Sequence, residues 1–193
     1  MAHMRCFISI SLPDEIKKGM LAIQARLKTS GADVTWSRPE GMHLTLKFLG
    51  ETEETSLPQI EAGMNRAVTV FDPFSVDVSG IGIFPDDRRP RVVWIGIKEK
   101  GDSLLRLQQD IEKELEDIGF PREGRRFTPH ITLGRIRSYK NISRLLNLIE
   151  EDKETELGRF EVLNVHLMKS ELRPEGSVYT ELYSVLLKGD EHG

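Results

Sequence analysis

The chain is short of cysteine, of long apolar runs and of positive charge, and each shortage excludes something. Cys6 is the only cysteine, so no internal disulfide can form. That suits a reducing compartment, and a cytoplasmic location is expected. No apolar run approaches the roughly 20 residues of a membrane helix, so no membrane partner is expected. The first apolar stretch, Cys6 to Leu12, is short and carries Ser9 and Ser11; it reads as a strand, not a signal peptide. The net charge of −4 argues against a protein that coats long nucleic acid. It leaves room for one that grips a single phosphate.

What is present is ordinary for a globular protein: 38% hydrophobic and 30% charged residues in a chain of 193. That length supports a real core in one domain, or in two lobes. Met1-Ala2-His3 ahead of Met4 has the look of a cloning remnant. The domain is expected over residues 4–188, with 189–193 as a tail.

The pattern along the chain predicts mixed elements. Arg5 to Leu12 reads as a strand, and Ile16, Met20, Ile23 and Leu27 make an amphipathic stripe that ends at Gly31. Next come a short strand over Val34 to Ser37 and a clear one from His43 to Leu49, closed by Gly50. Leu57 to Val70 reads as a helix. Phe74 to Ile83 and Arg91 to Ile97 read as strands. A helix runs from Gly101-Asp102 to about Ile118, capped by Gly119. His130 to Ile136 is a strand, Ile142 to Glu150 a helix, and Phe160 to Leu172 and Val178 to Leu187 the last strands, paired as a hairpin. Short loops between neighbouring strands favour antiparallel pairing and an α+β class.

One internal echo stands out. His43-Leu44-Thr45-Leu46 returns as His130-Ile131-Thr132-Leu133, close to half the chain later. Two related half-units, each offering one His-x-Thr, are the simplest architecture. On a strand, i and i+2 share a face. His43 and Thr45 therefore point one way, as do His130 and Thr132, while the leucines and isoleucine point to the core.

Two imidazoles and two hydroxyls facing one cleft have a definite use. In-line displacement at phosphorus puts the attacking and leaving oxygens on opposite sides. One histidine can deprotonate water while the other protonates the leaving oxygen. Histidine suits both tasks because its pKa of about 6.5 lies near working pH. The threonine hydroxyls can donate to the non-bridging oxygens. A metal site is the rival chemistry, but no carboxylate or cysteine stands at a helpful spacing beside either histidine. No metal or other cofactor is expected.

Other residues attract plainer readings. His3 belongs to the remnant, His192 to the tail, and His166 reads as a strand residue with no visible partner. Cys6 reads as a small core residue. Between Arg122 and Arg137 five arginines face one acid, Glu123; this is a basic loop that runs into His130.

The paired tetrads, in the settings Met42-His43-Leu44-Thr45-Leu46-Lys47-Phe48-Leu49-Gly50 and Thr128-Pro129-His130-Ile131-Thr132-Leu133-Gly134-Arg135, resemble the two-histidine phosphoesterase superfamily. Within it the chain is most similar to the RNA 2′,3′-cyclic phosphodiesterases, also called 2′-5′ RNA ligases. Arg5-Cys6-Phe7-Ile8-Ser9-Ile10 and Pro90-Arg91-Val92-Val93-Trp94 share that resemblance. It implies a bilobal α+β fold with two mostly antiparallel sheets, outer helices, a pseudo-twofold axis and a central cleft.

The resemblance also implies hydrolysis of a 2′,3′-cyclic phosphate to a 2′-phosphomonoester. His43 is then the acid on the 3′ oxygen and His130 the base on water, with Thr45, Thr132 and Arg135 on the phosphate. Strand parity places Arg135 opposite to His130 unless Gly134 hosts a bulge or the arginine reaches around the strand end. The same parity makes Phe48 a core residue first and a base-stacking residue second. Arg91 reads equally as a phosphate contact or a strand-edge charge. The expected partners are RNA ends or cyclic nucleotides bearing a 2′,3′-cyclic phosphate, and a monomer is expected. Ligation of tRNA halves, a broader nucleotide phosphodiesterase and a non-catalytic RNA-end-binding module are the alternatives.

Overall fold

The computed structural model describes residues 3–174 and 176–188. Met1, Ala2, Glu175 and the expected tail 189–193 lie outside the described residues. The first half of the chain forms β1 (His3–Ser11), α1 (Asp14–Lys28), β2 (Val34–Trp36), β3 (His43–Glu53), α2 (Leu57–Val68) and β4 (Phe74–Phe84). The second forms β5 (Val92–Lys98), α3 (Ser103–Glu116), β6 (His130–Ile136), α4 (Ile142–Glu151), β7 (Glu156–Val162), β8 (Asn164–Arg173) and β9 (Gly176–Leu186). No helix among the described residues is long and apolar enough to cross a membrane.

The strands build two sheets, ordered β3-β1-β8-β9 and β2-β6-β5-β4-β7. Every pairing in them is antiparallel. This is the expected α+β class. Helices α2 and α3 pack together and reach β9 and β3, while α1 and α4 pack together and reach β7 and β4. Each sheet thus has a helical face and an open face.

The connections are reciprocal. The helix after β1 crosses to the second sheet, and the helix after β5 crosses to the first. This exchange is the structural form of the internal repeat, and it gives the pseudo-twofold arrangement of two lobes. The helical faces carry the core, one continuous cluster that includes Ile8, Leu44, Leu107, Ile131, Leu133 and Leu167. Burying one such side chain contributes about 1.5–3 kcal/mol.

Two of the differences from the sequence reading bear on how the sheets are built. Phe160 to Leu172 is not one strand: β7 ends at Val162 in the second sheet and β8 starts at Asn164 in the first. The crossing takes a single residue, Leu163, with no glycine or proline to mark it. Burial does mark it, because Phe160 and Val162 are buried, then Val165 and Leu167, so the alternation slips by one. The strand of the first tetrad also continues past Gly50 to Glu53. Gly50 pairs with Cys6 at φ +70°, a left-handed backbone that glycine adopts without steric cost.

Candidate active site

Strands β3 and β6 approach one another where the two sheets meet. In β3, Leu44 and Leu46 are buried toward the helices, and His43 and Thr45 are half-buried on the open face. In β6, Ile131 and Leu133 are buried, and His130 and Thr132 are half-buried. The structure therefore gives the two tetrads the same inside-outside pattern on adjacent strands.

Immediately after each His-x-Thr the ladder slips. Ser9 pairs with Thr45 but Ile8 pairs with Lys47, so Leu46 is an extra residue. Trp94 pairs with Thr132 but Val93 pairs with Gly134, so Leu133 is an extra residue. A bulge at the same place in both motifs reverses the parity of the residues after it. Lys47 and Gly134 go to the buried side, and Phe48 and Arg135 come to the face of the histidines. For Arg135 this is the bulge that parity required. For Phe48 it overturns the core assignment: the ring is 70% exposed and lies 6.2 Å from Phe7.

Gly134 is glycine for a packing reason. A Cβ there would sit 2.6 Å from Val34 and 3.0 Å from Trp36, both on β2. The neighbouring strand fills the space a side chain would need. Behind each bulge stands a buried amide. Gln24 of α1 donates to the carbonyl of Leu133 at 2.8 Å and to that of Ser37 at 2.9 Å. Gln108 of α3 reaches the carbonyl of Leu46 at 3.5 Å and Glu112 Oε1 at 3.2 Å.

The two imidazoles sit in different surroundings. His43 stacks on Phe7 with ring centres 4.6 Å apart, and Tyr179 meets it edge-on at 5.4 Å. Burial, with a smaller contribution from the charge of Lys17, lowers its pKa to about 4. Its neutral form is therefore strongly favoured in the free protein. His130 has Phe84 edge-on at 4.9 Å and Trp94 at 6.3 Å. Its Nδ1 lies 2.7 Å from the carbonyl of Thr128, and only an N–H can make that bond. The tautomer is thereby fixed, with Nε2 left for chemistry. Trp94 in turn lies flat over Gly82, where a Cβ would be 2.3 Å from the indole.

The loop before β6 is tied to β3. Lys47 and Glu112 form a buried ion pair, Lys47 also donates to the carbonyl of Pro121 at 2.7 Å, and Glu112 accepts from the Glu123 amide at 3.3 Å. The approach to His130 is thus anchored on the strand of His43. Within this basic segment Arg122 pairs with Glu116, and Arg137 donates to the hydroxyl of Thr35.

His166 is a residue of β8, as expected of a strand position. Glu181 Oε2 lies 2.8 Å from its Nδ1, off the line of the N–H. Cys6 is buried, as expected. Phe7, Tyr179 and Lys17 were missed as neighbours of His43 because they come from three distant segments. No group of three or more His, Cys, Asp or Glu among the described residues is placed to hold a metal ion.

The fold and the paired strands define a duplicated α+β protein with one His-x-Thr per half. Comparison with known proteins gives that class its family. The family described as "LigT like Phosphoesterase" matches twice, over residues 10–94 and 95–179, one tetrad in each match. The chain belongs to this family. It is 35% identical over 178 residues to the RNA 2′,3′-cyclic phosphodiesterase of Methanothermobacter thermautotrophicus, covering 92% of this chain and 96% of that one. It is 37% identical over 190 residues to the protein of that name from Thermotoga maritima, covering 96% and 97%. Among solved structures, TT0787 of Thermus thermophilus superposes with a TM-score of 0.82 at 29% identity, over 97% of this chain and all of that one. E. coli LigT complexed with 3′-AMP has a TM-score of 0.78 over 96% and 99% of the two chains. At 23% identity it shows the fold alone.

Proposed function

We propose that the protein hydrolyses a 2′,3′-cyclic phosphate at an RNA end to a 2′-phosphomonoester, using His43 and His130 without a metal. The observation that carries this reading is the pair of His-x-Thr strands. Both place imidazole and hydroxyl on one face, in a chain whose relatives bear the name of that activity.

In the step itself, Nε2 of His130 takes a proton from water while the water oxygen attacks phosphorus. The bond from phosphorus to the 3′ oxygen breaks, and His43 gives that oxygen its proton. Thr45 and Thr132 donate to the non-bridging oxygens, and Arg135 offsets their charge. Phe48 offers an exposed face to a base. His130 is suited to the base role because the carbonyl of Thr128 holds its Nδ1–H and frees Nε2.

His43 needs a further condition for the acid role. In its pocket it gives up its proton at about pH 4, so at neutral pH it must gain one as substrate binds. The phosphate anion supplies the opposing charge that raises the pKa. Substrate binding and proton uptake are then coupled.

The test is incubation with a 2′,3′-cyclic nucleotide in EDTA, with the product read by phosphorus NMR. A 2′-phosphomonoester supports the reading. No turnover on mononucleotides or RNA ends would sink it in favour of an RNA-end-binding module. Joining of tRNA halves uses the same residues in reverse, and a ligation assay measures it directly.

A further inference from the structure

The bulges place Arg135 and Phe48, so whatever holds the bulges matters to the site. An extra residue leaves its own carbonyl outside the regular ladder, and a buried carbonyl without a partner is costly. The carbonyl of Leu133 is satisfied by the Ser37 amide at 2.9 Å and by Gln24 Nε2 at 2.8 Å. That of Leu46 is approached by Gln108 Nε2 at 3.5 Å. Both glutamines are buried, Gln24 to 1% exposure and Gln108 to 7%. An amide is costly to bury unless it is bonded.

Each glutamine comes from the opposite half of the repeat. Gln24 stands on α1, the helix that crosses to the second sheet, and Gln108 on α3, the helix that crosses to the first. They also occupy the same place in the same stripe. Met20, Ile23, Gln24 and Leu27 repeat the spacing of Leu104, Leu107, Gln108 and Ile111, and all eight are buried. A polar residue at a core position of both helices, aimed at the same atom of both motifs, is a paired device.

We propose that Gln24 and Gln108 are positioning residues that lock the extra leucine of the opposite His-x-Thr strand and so keep Arg135 and Phe48 turned into the cleft. The backbone part stands on the hydrogen bonds alone. The ligand part rests on the phosphate-binding reading of Arg135 given above.

The test is a thermodynamic cycle with inorganic phosphate as probe, using wild type, Gln24→Met, Arg135→Ala and the double variant. Methionine keeps length and volume but cannot donate. Gln24→Met is expected to weaken phosphate binding roughly tenfold, the loss of a charge-assisted bond, and to add nothing to Arg135→Ala. A merely structural role would give effects that multiply, which would overturn the proposal. Gln108→Met is the milder second arm, since its bond is long. It is expected to weaken adenosine 2′-monophosphate in step with Phe48→Ala and to leave inorganic phosphate unchanged. Equal losses on both ligands would count against it.

Cross-strand NOEs between β5 and β6 report the register independently of any ligand. A Gln24→Met protein that keeps Val93 opposite Gly134 with full phosphate affinity refutes the role of Gln24. A shifted register in a protein that never binds phosphate would uphold the backbone device while removing the reading of Arg135.

Discussion

The half that carries His43 and the half that carries His130 share a backbone and differ in what they aim with it. Both have a tetrad on a strand, an extra leucine after it and a glutamine behind that leucine. Past the bulge, one half presents an aromatic ring and the other a guanidinium. One histidine is packed among rings and pushed toward its neutral form. The other is oriented by a backbone carbonyl. Both halves carry the bulge that turns a residue toward the histidine face, and they differ in the residue turned. In the proposed mechanism these two like strands carry two unlike roles, acid and base.

The halves also differ in their support, and this gives the largest expected effect on the fold. Among the described residues, only the first half has a buried ion pair behind its bulge, Lys47 with Glu112. Lys47→Met leaves a buried carboxylate unpaired and is expected to cost about 3–5 kcal/mol, roughly 10 °C in Tm. Lys47→Met combined with Glu112→Leu should recover most of it. A calorimetric scan showing no loss in the single variant would mean the pair is not the anchor it looks to be.

Arg135→Ala should come next, lowering kcat/KM on every substrate by about 1.5–3 kcal/mol in transition-state terms, since a charge-assisted contact is lost. Phe48→Ala is expected to cost about 1–3 kcal/mol, and only on ligands that carry a base. Comparing the two variants on a nucleotide and on a base-free cyclic phosphate sharpens the contrast between halves. Equal penalties on both ligands would erase it.

At neutral pH the smallest effect on stability concerns protons, and it grows only as the solution is acidified. Between pH 6.5 and about 4 the unfolded chain binds a proton that folded His43 refuses. Stability attributable to this residue is therefore present above that window and lost as pH falls through it. His43→Asn should flatten that part of the stability–pH curve. At neutral pH, titration calorimetry in buffers of different ionisation enthalpy should show more proton uptake when phosphate binds wild type than when it binds the variant.

Much of this was legible in the sequence and some was hidden for definite reasons. The tetrads, their faces and the α+β class follow from a period of two and from short loops. The bulges do not, because His43 to Phe48 alternates acceptably as a plain strand; the face of Phe48 was misjudged for that reason. Two signals were available. Gly134 offers no side chain where β2 presses close. The stripe that ends in Leu27 contains Gln24 on its buried side, and the stripe of the second half repeats it with Gln108. The cluster around His43 was beyond reach, since Phe7, Lys17 and Tyr179 meet it only through the pairing of β1, β8 and β9 and the placing of α1.

The most direct measurement is the rate on a 2′,3′-cyclic nucleotide, in EDTA, for wild type, His43→Ala, His130→Ala and the double variant. Each single change is expected to remove about 10²–10⁴-fold of the rate. The double variant should fall little further, because the two groups act as a unit. A single variant that retains wild-type rate would contradict the two-histidine reading.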